Sequence, residues 1–128
     1  MIRHPSGLLR RFYFSTVKCA RLGDHIIETT SPKTNKNNLL WLHGMLDSST
    51  GFIPAASDPS LREKTTSYLL DARNHGKAEH TKTMTYPEMA YDLVDYIANR
   101  DMKDIYLLGH SMGGRTVMAA MRDHKAFL

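Results

Sequence analysis

Three short apolar runs, none interrupted by a charged residue, limit the folds open to this chain. They cover residues 39–42, 68–70 and 105–108, and each leads directly into a polar or glycine residue. Because successive rather than alternate positions are apolar, these runs suit strands that are buried on both faces, as in a parallel sheet. Helical patterns separate the runs, so the order of elements predicts an α/β fold with helices on both faces of a mostly parallel sheet.

The clearest helical pattern lies between the second and third runs, at residues 86–100. Thr85 can cap its first turn, and Glu88, three residues later, completes a capping box. Pro87 suits the first turn because the N–H groups there have no acceptor within the helix, so the missing N–H of proline costs nothing. Apolar side chains then recur at helical spacing and share one face. They are Met89, Leu93, Tyr96 and Ile97. Ahead of the first run, a strand is expected within residues 21–29 and a polar turn at 31–38.

The third run ends in Gly109-His110-Ser111-Met112-Gly113, which Gly114 follows. This is the pattern of a nucleophile elbow, in which a serine is held at a sharp turn between a strand and a helix. The glycines leave space for the turn, and the serine takes strained backbone angles. The sequence therefore predicts a serine nucleophile, the alternative being a structural turn with a solvated serine. We expect the helix that follows to turn Val117, Met118 and Met121 toward the core.

A nucleophilic serine also needs N–H donors for the oxyanion that develops during attack on an acyl group. One expected donor is the backbone N–H of Met112, directly after the nucleophile. The second is expected from His43-Gly44-Met45, where the glycine lets the backbone approach the substrate and Met45 supplies the N–H. We expect His43 to support this loop from beneath and His110 to pack within the turn.

Other polar residues after the second run lie at the same edge of the predicted sheet. His75 and His80 could approach the serine from there, or could be solvated loop residues. Asp71 and Arg73 are expected to form a strand-end pair that pins this loop. His124 lies 13 residues after the nucleophile in the same predicted helix. At 1.5 Å per residue it is about 20 Å away, too far for a hydrogen bond.

Positive charge is concentrated at the amino-terminal end. The 128 residues carry a net charge of +4, but five basic residues precede the first acidic one, Asp24, and the rest of the chain has 12 basic and 13 acidic residues. Residues 1–21 combine arginine and hydroxyl side chains with no acid, as in a mitochondrial transit peptide, and Arg11-Phe12-Tyr13 resembles a matrix-protease cleavage site. A disordered basic tail is the alternative. We expect a transit peptide at 1–21 and the amino-terminal part of a catalytic domain at 22–128.

Composition argues against several other classes of function. The basic residues form no broad surface outside the leader, so nucleic-acid binding is not expected. No stretch approaches the roughly 20 apolar residues that a membrane-spanning helix needs. Cys19 is the single cysteine, which predicts neither a disulfide framework nor a thiolate metal site, and no other residues show the spacing of metal ligands.

Three blocks of the sequence make the chain resemble the α/β-hydrolases, and within them a branch of mitochondrial esterases. The blocks lie at 42–52, 71–76 and 109–116, in the order expected of that family. The middle block, Asp-Ala-Arg-Asn-His-Gly, is the most diagnostic. The resemblance implies hydrolysis of small esters or glycerolipids, without a cofactor, in the mitochondrial matrix. Where this branch usually has a glycine the chain has Asp47, which alters the expected shape and charge of the acyl pocket.

The resemblance also implies that the catalytic acid and histidine follow the serine, on loops after later strands. Only 17 residues follow Ser111, so these partners have no matching positions, and we expect an amino-terminal fragment whose strand at 104–108 has an exposed edge. Two alternatives remain open. One is a catalytically inactive hydrolase-like protein that acts as a binding or regulatory module, for example on a mitochondrial matrix enzyme complex. The other is transferase or haloperoxidase-like chemistry on the same elbow.

Overall fold

A four-stranded sheet forms the centre of the computed structural model, which describes residues 19–31 and 37–128. The strands are β1 (Gly23–Ile27), β2 (Asn38–Leu42), β3 (Thr66–Asp71) and β4 (Ile105–Gly109). Their order across the sheet is β1-β3-β2-β4. Strand β2 pairs in parallel with both β3 and β4, whereas β1 pairs antiparallel with β3. The three apolar runs are therefore the three parallel strands, and the predicted α/β fold with a mostly parallel sheet is confirmed. The expected burial on both faces is wrong for β4, where Tyr106 and Leu108 are 57% and 36% exposed, because β4 lies at the edge of the sheet.

In the described ranges, three α-helices connect successive strands and a fourth follows β4. They are α1 (Ile53–Ala56), α2 (Pro59–Arg62), α3 (Tyr86–Asn99) and α4 (Met112–His124), with 3-10 turns at Ser49–Phe52 and Lys125–Phe127. Helices α3 and α4 cover one face of the sheet, where they pack on Leu40, Leu42 and Leu70. The short helix α1 and the turn before it cover the other face around Trp41 and Leu69. None of the helices in the described ranges is both long enough and apolar enough to cross a bilayer.

Helix α3 begins as the sequence predicts. The Thr85 hydroxyl accepts a hydrogen bond from the Glu88 N–H, and the Glu88 carboxylate accepts one from the Thr85 N–H. Hydrogen bonds from the Thr83 hydroxyl and from Thr85 lower the pKa of Glu88 to about 2, so this carboxylate stays charged at the positive end of the helix. The predicted apolar face is buried, as expected from its spacing.

Helix α4 also starts where predicted, but its buried face differs from the prediction. Val117 packs against the core as expected, but Met118 and Met121 are 64% and 44% exposed, so the expectation that they turn toward the core is wrong. The buried residues of α4 are mostly small: Met112, Gly113, Thr116, Ala119, Ala120 and, at the end, His124. The reason is close approach, because a Cβ on Gly113 would overlap the carbonyl oxygen of Leu42 in β2. A helix this close to the sheet excludes long side chains from the contact.

The predicted leader at 1–21 lies mostly outside the described residues, which begin at Cys19. The last part of it packs on the domain. Ala20 is buried, and its N–H donates to Asp92 of α3 at 2.7 Å. The backbone of Arg21 exchanges hydrogen bonds with Glu79. Residues 19–21 therefore contribute contacts to the folded domain, and burial raises the pKa of the Cys19 thiol to about 11.

Candidate active site

The carboxyl ends of β2, β3 and β4 meet at one edge of the sheet, because the three strands are parallel. Leu42 at the end of β2 is paired with Leu70 on one side and with Gly109 on the other. The chain moves from β2 to its neighbour β3 and then returns to β4 on the opposite side of β2. Such a switch point at the carboxyl edge leaves a crevice in which α/β proteins bind ligands.

Ser111 lies at this edge, between the end of β4 and the start of α4. Its backbone angles are φ 52° and ψ −110°, a combination that residues other than glycine rarely adopt. Strain of this kind costs about 1–3 kcal/mol and is concentrated at functional sites. The residue is exposed, its side chain does not cap α4, and its hydroxyl has no hydrogen-bond partner among residues 19–31 and 37–128. The hydroxyl is therefore not engaged by any other group in the described ranges.

The glycines around Ser111 allow the strand end and the helix start to cross. A Cβ on Gly109 would lie 2.5 Å from the carbonyl group of Gly113 and from the N atom of Gly114. A Cβ on Gly113 would strike β2, as described above. Gly114 is less constrained, since its Cβ would lie 3.1 Å from the Gly109 oxygen. Gly109 and Gly113 are thus required for space, and the sharp turn at Ser111 depends on both.

The loop after β2 lies against this turn. A Cβ on Gly44 would come within 2.9 Å of His110 Nδ1 and within 3.5 Å of the Ser111 Cβ. The structure therefore brings His43-Gly44-Met45 next to the serine, with the exposed His110 ring against Gly44. Within the described part of the chain, the backbone N–H groups of Met45 and Met112 have no acceptor. The Met112 side chain is buried, whereas that of Met45 is 54% exposed.

His43 holds this loop and has no ring nitrogen to spare. It is 1% exposed, its Nδ1 lies 2.7 Å from the Gly44 oxygen, and its Nε2 lies 3.1 Å from the Ala72 nitrogen. Since the Ala72 N–H can only donate, Nε2 must accept, and the proton of the neutral ring is assigned to Nδ1. His43 thus links the ends of β2 and β3, and it cannot take a proton from Ser111 without losing these contacts.

His75, in the loop after β3, also has both ring nitrogens engaged in hydrogen bonds. Its Nδ1 lies 2.9 Å from the Arg73 oxygen, and its Nε2 accepts from the Leu46 N–H at 3.4 Å. The His75 and His43 rings are in contact, with centroids 5.0 Å apart. His75 therefore reaches the candidate oxyanion loop through the backbone, whereas His80 is exposed to solvent.

Asp71 joins the two loops that flank the site. It is 3% exposed and accepts from the Ser49 N–H at 2.7 Å and from the Lys77 N–H at 3.0 Å. Burial alone would raise the pKa of Asp71, but these two hydrogen bonds outweigh it, so the pKa lies below its usual value. Gly76 has φ 47°, and a Cβ there would overlap the Asp71 carboxylate.

Arg73 does not pair with Asp71, so the predicted strand-end pair is wrong. Its guanidinium instead binds the buried carboxylate of Asp92 through two hydrogen bonds of 2.7 and 2.8 Å, and it also contacts Glu88 at 3.4 Å. These hydrogen bonds raise the pKa of Arg73. The physical reason for the exchange is that Asp71 is satisfied by backbone N–H groups, whereas Asp92 would otherwise be a buried charge without a cation.

Asp92 is the residue of this region that the sequence analysis missed. A signal was present, because Asp92 lies three residues after Met89 on the apolar face of α3. A carboxylate at such a position needs a cationic partner from a neighbouring element.

Asp47, which stands where the related branch usually has glycine, makes its contacts within its own loop. Its carboxylate accepts the Ser48 N–H at 2.8 Å and faces Gly51.

Comparison with known proteins places this geometry in a family. A family model described as alpha/beta hydrolase fold matches residues 37–126. The chain is 32% identical over 120 residues to an sn-1-specific diacylglycerol lipase, ABHD11, of Danio rerio. It is 34% identical over 92 residues to the esterase YbfF of Escherichia coli strain K12, and 28% identical over 83 residues to ethanol acetyltransferase 1 of Hanseniaspora uvarum.

Among solved structures, a marine microorganism esterase superposes with a TM-score of 0.73 at 31% identity, covering 83% of this chain and 38% of that one. The matched regions comprise 86% of this chain and 38% of the Danio rerio lipase, 72% and 35% for YbfF, and 65% and 25% for the acetyltransferase. This chain therefore spans well under half the length of each of these relatives. With most of its described residues matched by the family model, the chain belongs to the α/β-hydrolase family.

Proposed function

We propose that Ser111 is the nucleophile of a carboxylic ester hydrolase. The observation that carries the proposal is an exposed serine on a strained turn between a strand and a helix, whose hydroxyl has no hydrogen-bond partner in residues 19–31 and 37–128. The Ser111 Oγ attacks the acyl carbon and forms a new C–O bond, and the alcohol leaves as the tetrahedral intermediate collapses. Water then releases the acid and restores the serine.

The oxyanion of the tetrahedral intermediate is stabilised by the N–H groups of Met45 and Met112. Two observations support this assignment: neither N–H has an acceptor within the described ranges, and the Gly44 backbone lies against Ser111. Donors fixed in place before the reaction cost no reorganisation as charge develops. The positive end of α4, which starts at Met112, adds to this stabilisation.

The proton of Ser111 must pass to a base, because the neutral hydroxyl is a weak nucleophile. His43 and His75 are unsuited, since both ring nitrogens of each are engaged with backbone groups. In this family the acid and the histidine follow the nucleophile. We therefore expect the proton acceptor in the part of the relatives' length that this chain does not span.

The proposed substrates are small carboxylic esters or glycerolipids. The names of the relatives support this class, since they include an sn-1-specific diacylglycerol lipase and an esterase. The scheme uses a serine, a base and water, and needs no cofactor. The acyl chain would lie beside the exposed Met45 and Leu46, which offer an apolar surface next to the serine.

The test is hydrolysis of p-nitrophenyl acyl esters and diacylglycerol by the full-length gene product. Replacement of Ser111 by Ala should lower kcat by at least about 10³-fold, because the covalent route is lost. Ser57→Ala, a change at an exposed serine outside the site, is the matched control and should leave turnover unchanged. Equal turnover by the wild type and the Ser111→Ala variant would reject the nucleophile. Absence of turnover in the wild type would favour the inactive binding module.

A second candidate, acyl transfer to an alcohol, is supported by the similarity to ethanol acetyltransferase 1. The acyl-enzyme would be the same, and an alcohol rather than water would accept the acyl group. Adding ethanol to the hydrolysis assay separates the two reactions. Formation of the ethyl ester at the expense of the free acid would identify a transferase, and acid alone would identify a hydrolase.

We also propose a mitochondrial matrix location, supported by the acid-free and arginine-containing residues 1–21. Because Ala20 packs on the domain, processing is expected upstream of it. A reporter fused to residues 1–18 should enter mitochondria, and the same fusion with Arg3, Arg10 and Arg11 changed to Ser should not. A reporter that remains in the cytosol with the native segment would reject the targeting role.

A further inference from the structure

We propose that His75 is a positioning residue for the oxyanion site, acting through the backbone of Leu46. This inference rests on the proposed function and assigns a further residue to it. His75 does not touch the reacting atoms in this scheme. Its imidazole Nε2 accepts the Leu46 N–H and so fixes the peptide that follows Met45, whose own N–H is the second proposed oxyanion donor.

The loop needs such a contact because of the conformation of Leu46. This residue has φ 63°, in the left-handed region, and its side chain is 93% exposed. A non-glycine residue there carries a cost of about 1–2 kcal/mol, and an exposed side chain offsets little of it. One further hydrogen bond, from the Asp47 N–H to the Gly44 oxygen at 3.3 Å, closes the turn. Among the described residues, the hydrogen bond to His75 connects Leu46 to the loop after β3.

His75 is itself held rigidly, as a positioning residue must be. Its Nδ1 donates to the Arg73 oxygen at 2.9 Å, which leaves Nε2 as the acceptor. Its ring packs on the buried ring of His43. Arg73 is fixed in turn by two hydrogen bonds to Asp92 of α3. A continuous set of contacts therefore connects helix α3, through Arg73 and His75, to the Met45–Leu46 peptide of the proposed oxyanion loop.

The position of an oxyanion donor matters strongly for rate. A displacement of about 1 Å can cost about 10²-fold, and loss of one donor costs about 10²–10³-fold in kcat. Substrate binding in the ground state depends far less on this N–H, because the full negative charge exists only in the transition state. A positioning role for His75 therefore predicts an effect on kcat with little change in KM.

Two substitutions of His75 separate the role of Nε2 from that of Nδ1. His75→Gln carries an amide oxygen at about the reach of Nε2 and can still accept from Leu46. His75→Asn is shorter, so its amide can replace Nδ1 as the donor to Arg73 but cannot reach Leu46. Both are made in the full-length gene product and assayed with p-nitrophenyl acyl esters beside Ser111→Ala.

We expect His75→Asn to lower kcat about 10- to 100-fold with KM within about threefold, and His75→Gln to retain kcat within about threefold. Hydrogen–deuterium exchange of a peptide that includes Leu46 should be faster in His75→Asn than in the wild type. The inference is overturned if both variants keep wild-type kcat, if both lose it equally, or if the loss lies in KM. Should His75→Asn fail to fold, a loss of kcat in a folded His75→Gln variant with normal exchange at Leu46 overturns it, and retention supports it.

These outcomes are distinct from a failure of the proposed function. If Ser111→Ala retains turnover, the nucleophile is wrong, whatever His75 does. If Ser111→Ala abolishes turnover while His75→Asn is unaffected, the esterase proposal stands and only the positioning role of His75 is rejected.

Discussion

Replacing Asp71 by Asn removes the charge that joins the two loops beside the site. The carboxylate accepts backbone N–H groups from Ser49 and Lys77 and is 3% exposed. In the Asn variant one oxygen remains as an acceptor, while the new NH₂ group faces an N–H that can only donate. The close approach of Gly76 leaves no room for the side chain to shift.

The expected cost follows from these contacts. A hydrogen bond to a charged group contributes about 1.5–3 kcal/mol, and a buried donor left without an acceptor costs about 1–3 kcal/mol. One of the two bonds is lost and the other becomes neutral, so Asp71→Asn should lower the free energy of unfolding by about 3 kcal/mol. Burial means that solvent does not screen this effect.

The loss should depend on pH in a defined direction. The pKa of Asp71 in the folded state lies below its usual value because of the two N–H donors. Its charge therefore stabilises the fold fully above the unfolded pKa of about 3.9, and this contribution falls as the pH drops toward the lower folded pKa. The difference between wild type and Asp71→Asn should be largest near pH 7 and smaller at pH 3.

Urea unfolding of the full-length gene product, followed by tryptophan fluorescence, measures this difference. Trp41 is the single tryptophan of the sequence, is 6% exposed, and lies in β2 beside the affected loop. Asp101→Asn is the matched control, because the Asp101 side chain is 85% exposed and should change stability by less than about 0.5 kcal/mol. A change in Asp71→Asn as small as in the control, or one that grows at acid pH, would refute the reasoning.

Three further changes test other parts of the fold, each by the urea midpoint. Arg73→Met should cost about 3–5 kcal/mol by leaving Asp92 buried without a cation, and adding Asp92→Leu should recover most of the loss; no recovery would contradict the pairing. Thr85→Ala should cost about 1 kcal/mol through the lost helix cap, and an unchanged midpoint would argue against it. Gly113→Ala should cost more than about 4 kcal/mol through overlap with β2, whereas Gly114→Ala should be milder, and equal effects would contradict the packing.

The strands and the first turn of α3 could be predicted because their signals are local. A continuous apolar run predicts a strand of a parallel sheet, but whether both faces are buried depends on its place in the sheet: β2 and β3 are largely buried, whereas Tyr106 and Leu108 of the edge strand β4 are exposed. The capping box of Thr85 and Glu88 involves residues three apart, so no tertiary information is needed. The antiparallel pairing of β1 was not predicted, because the direction of a pair depends on how the chain returns to the sheet.

The face of α4 could not be predicted from hydrophobicity alone. Met118 and Met121 are apolar, yet the helix lies so close to β2 that small residues occupy the contact. Distance between elements sets the permitted size of side chains, and the sequence pattern carries no direct record of that distance. In the sequence, only the glycines at 109 and 113 indicated that the helix lies close to the sheet.

The elements of the candidate site were predictable to different degrees. The serine and the loop at His43-Gly44-Met45 stand out as motifs, and their contact follows once β2 and β4 are neighbours. The partners of Asp71 and Arg73 depend on which buried group lacks a counter-ion, and the role of His75 depends on a single backbone N–H. Contacts of that kind arise from three-dimensional packing rather than from spacing along the chain.

Covalent labelling tests the central claim, that Ser111 is an activated nucleophile, most directly. The full-length gene product is treated with a fluorophosphonate, and the modified peptide is identified by mass spectrometry. We predict one phosphonate per chain, on Ser111, with no labelling of Ser111→Ala and full labelling of Ser57→Ala. Labelling at another residue, or an unmodified Ser111 in a folded protein that turns over esters, would contradict the claim.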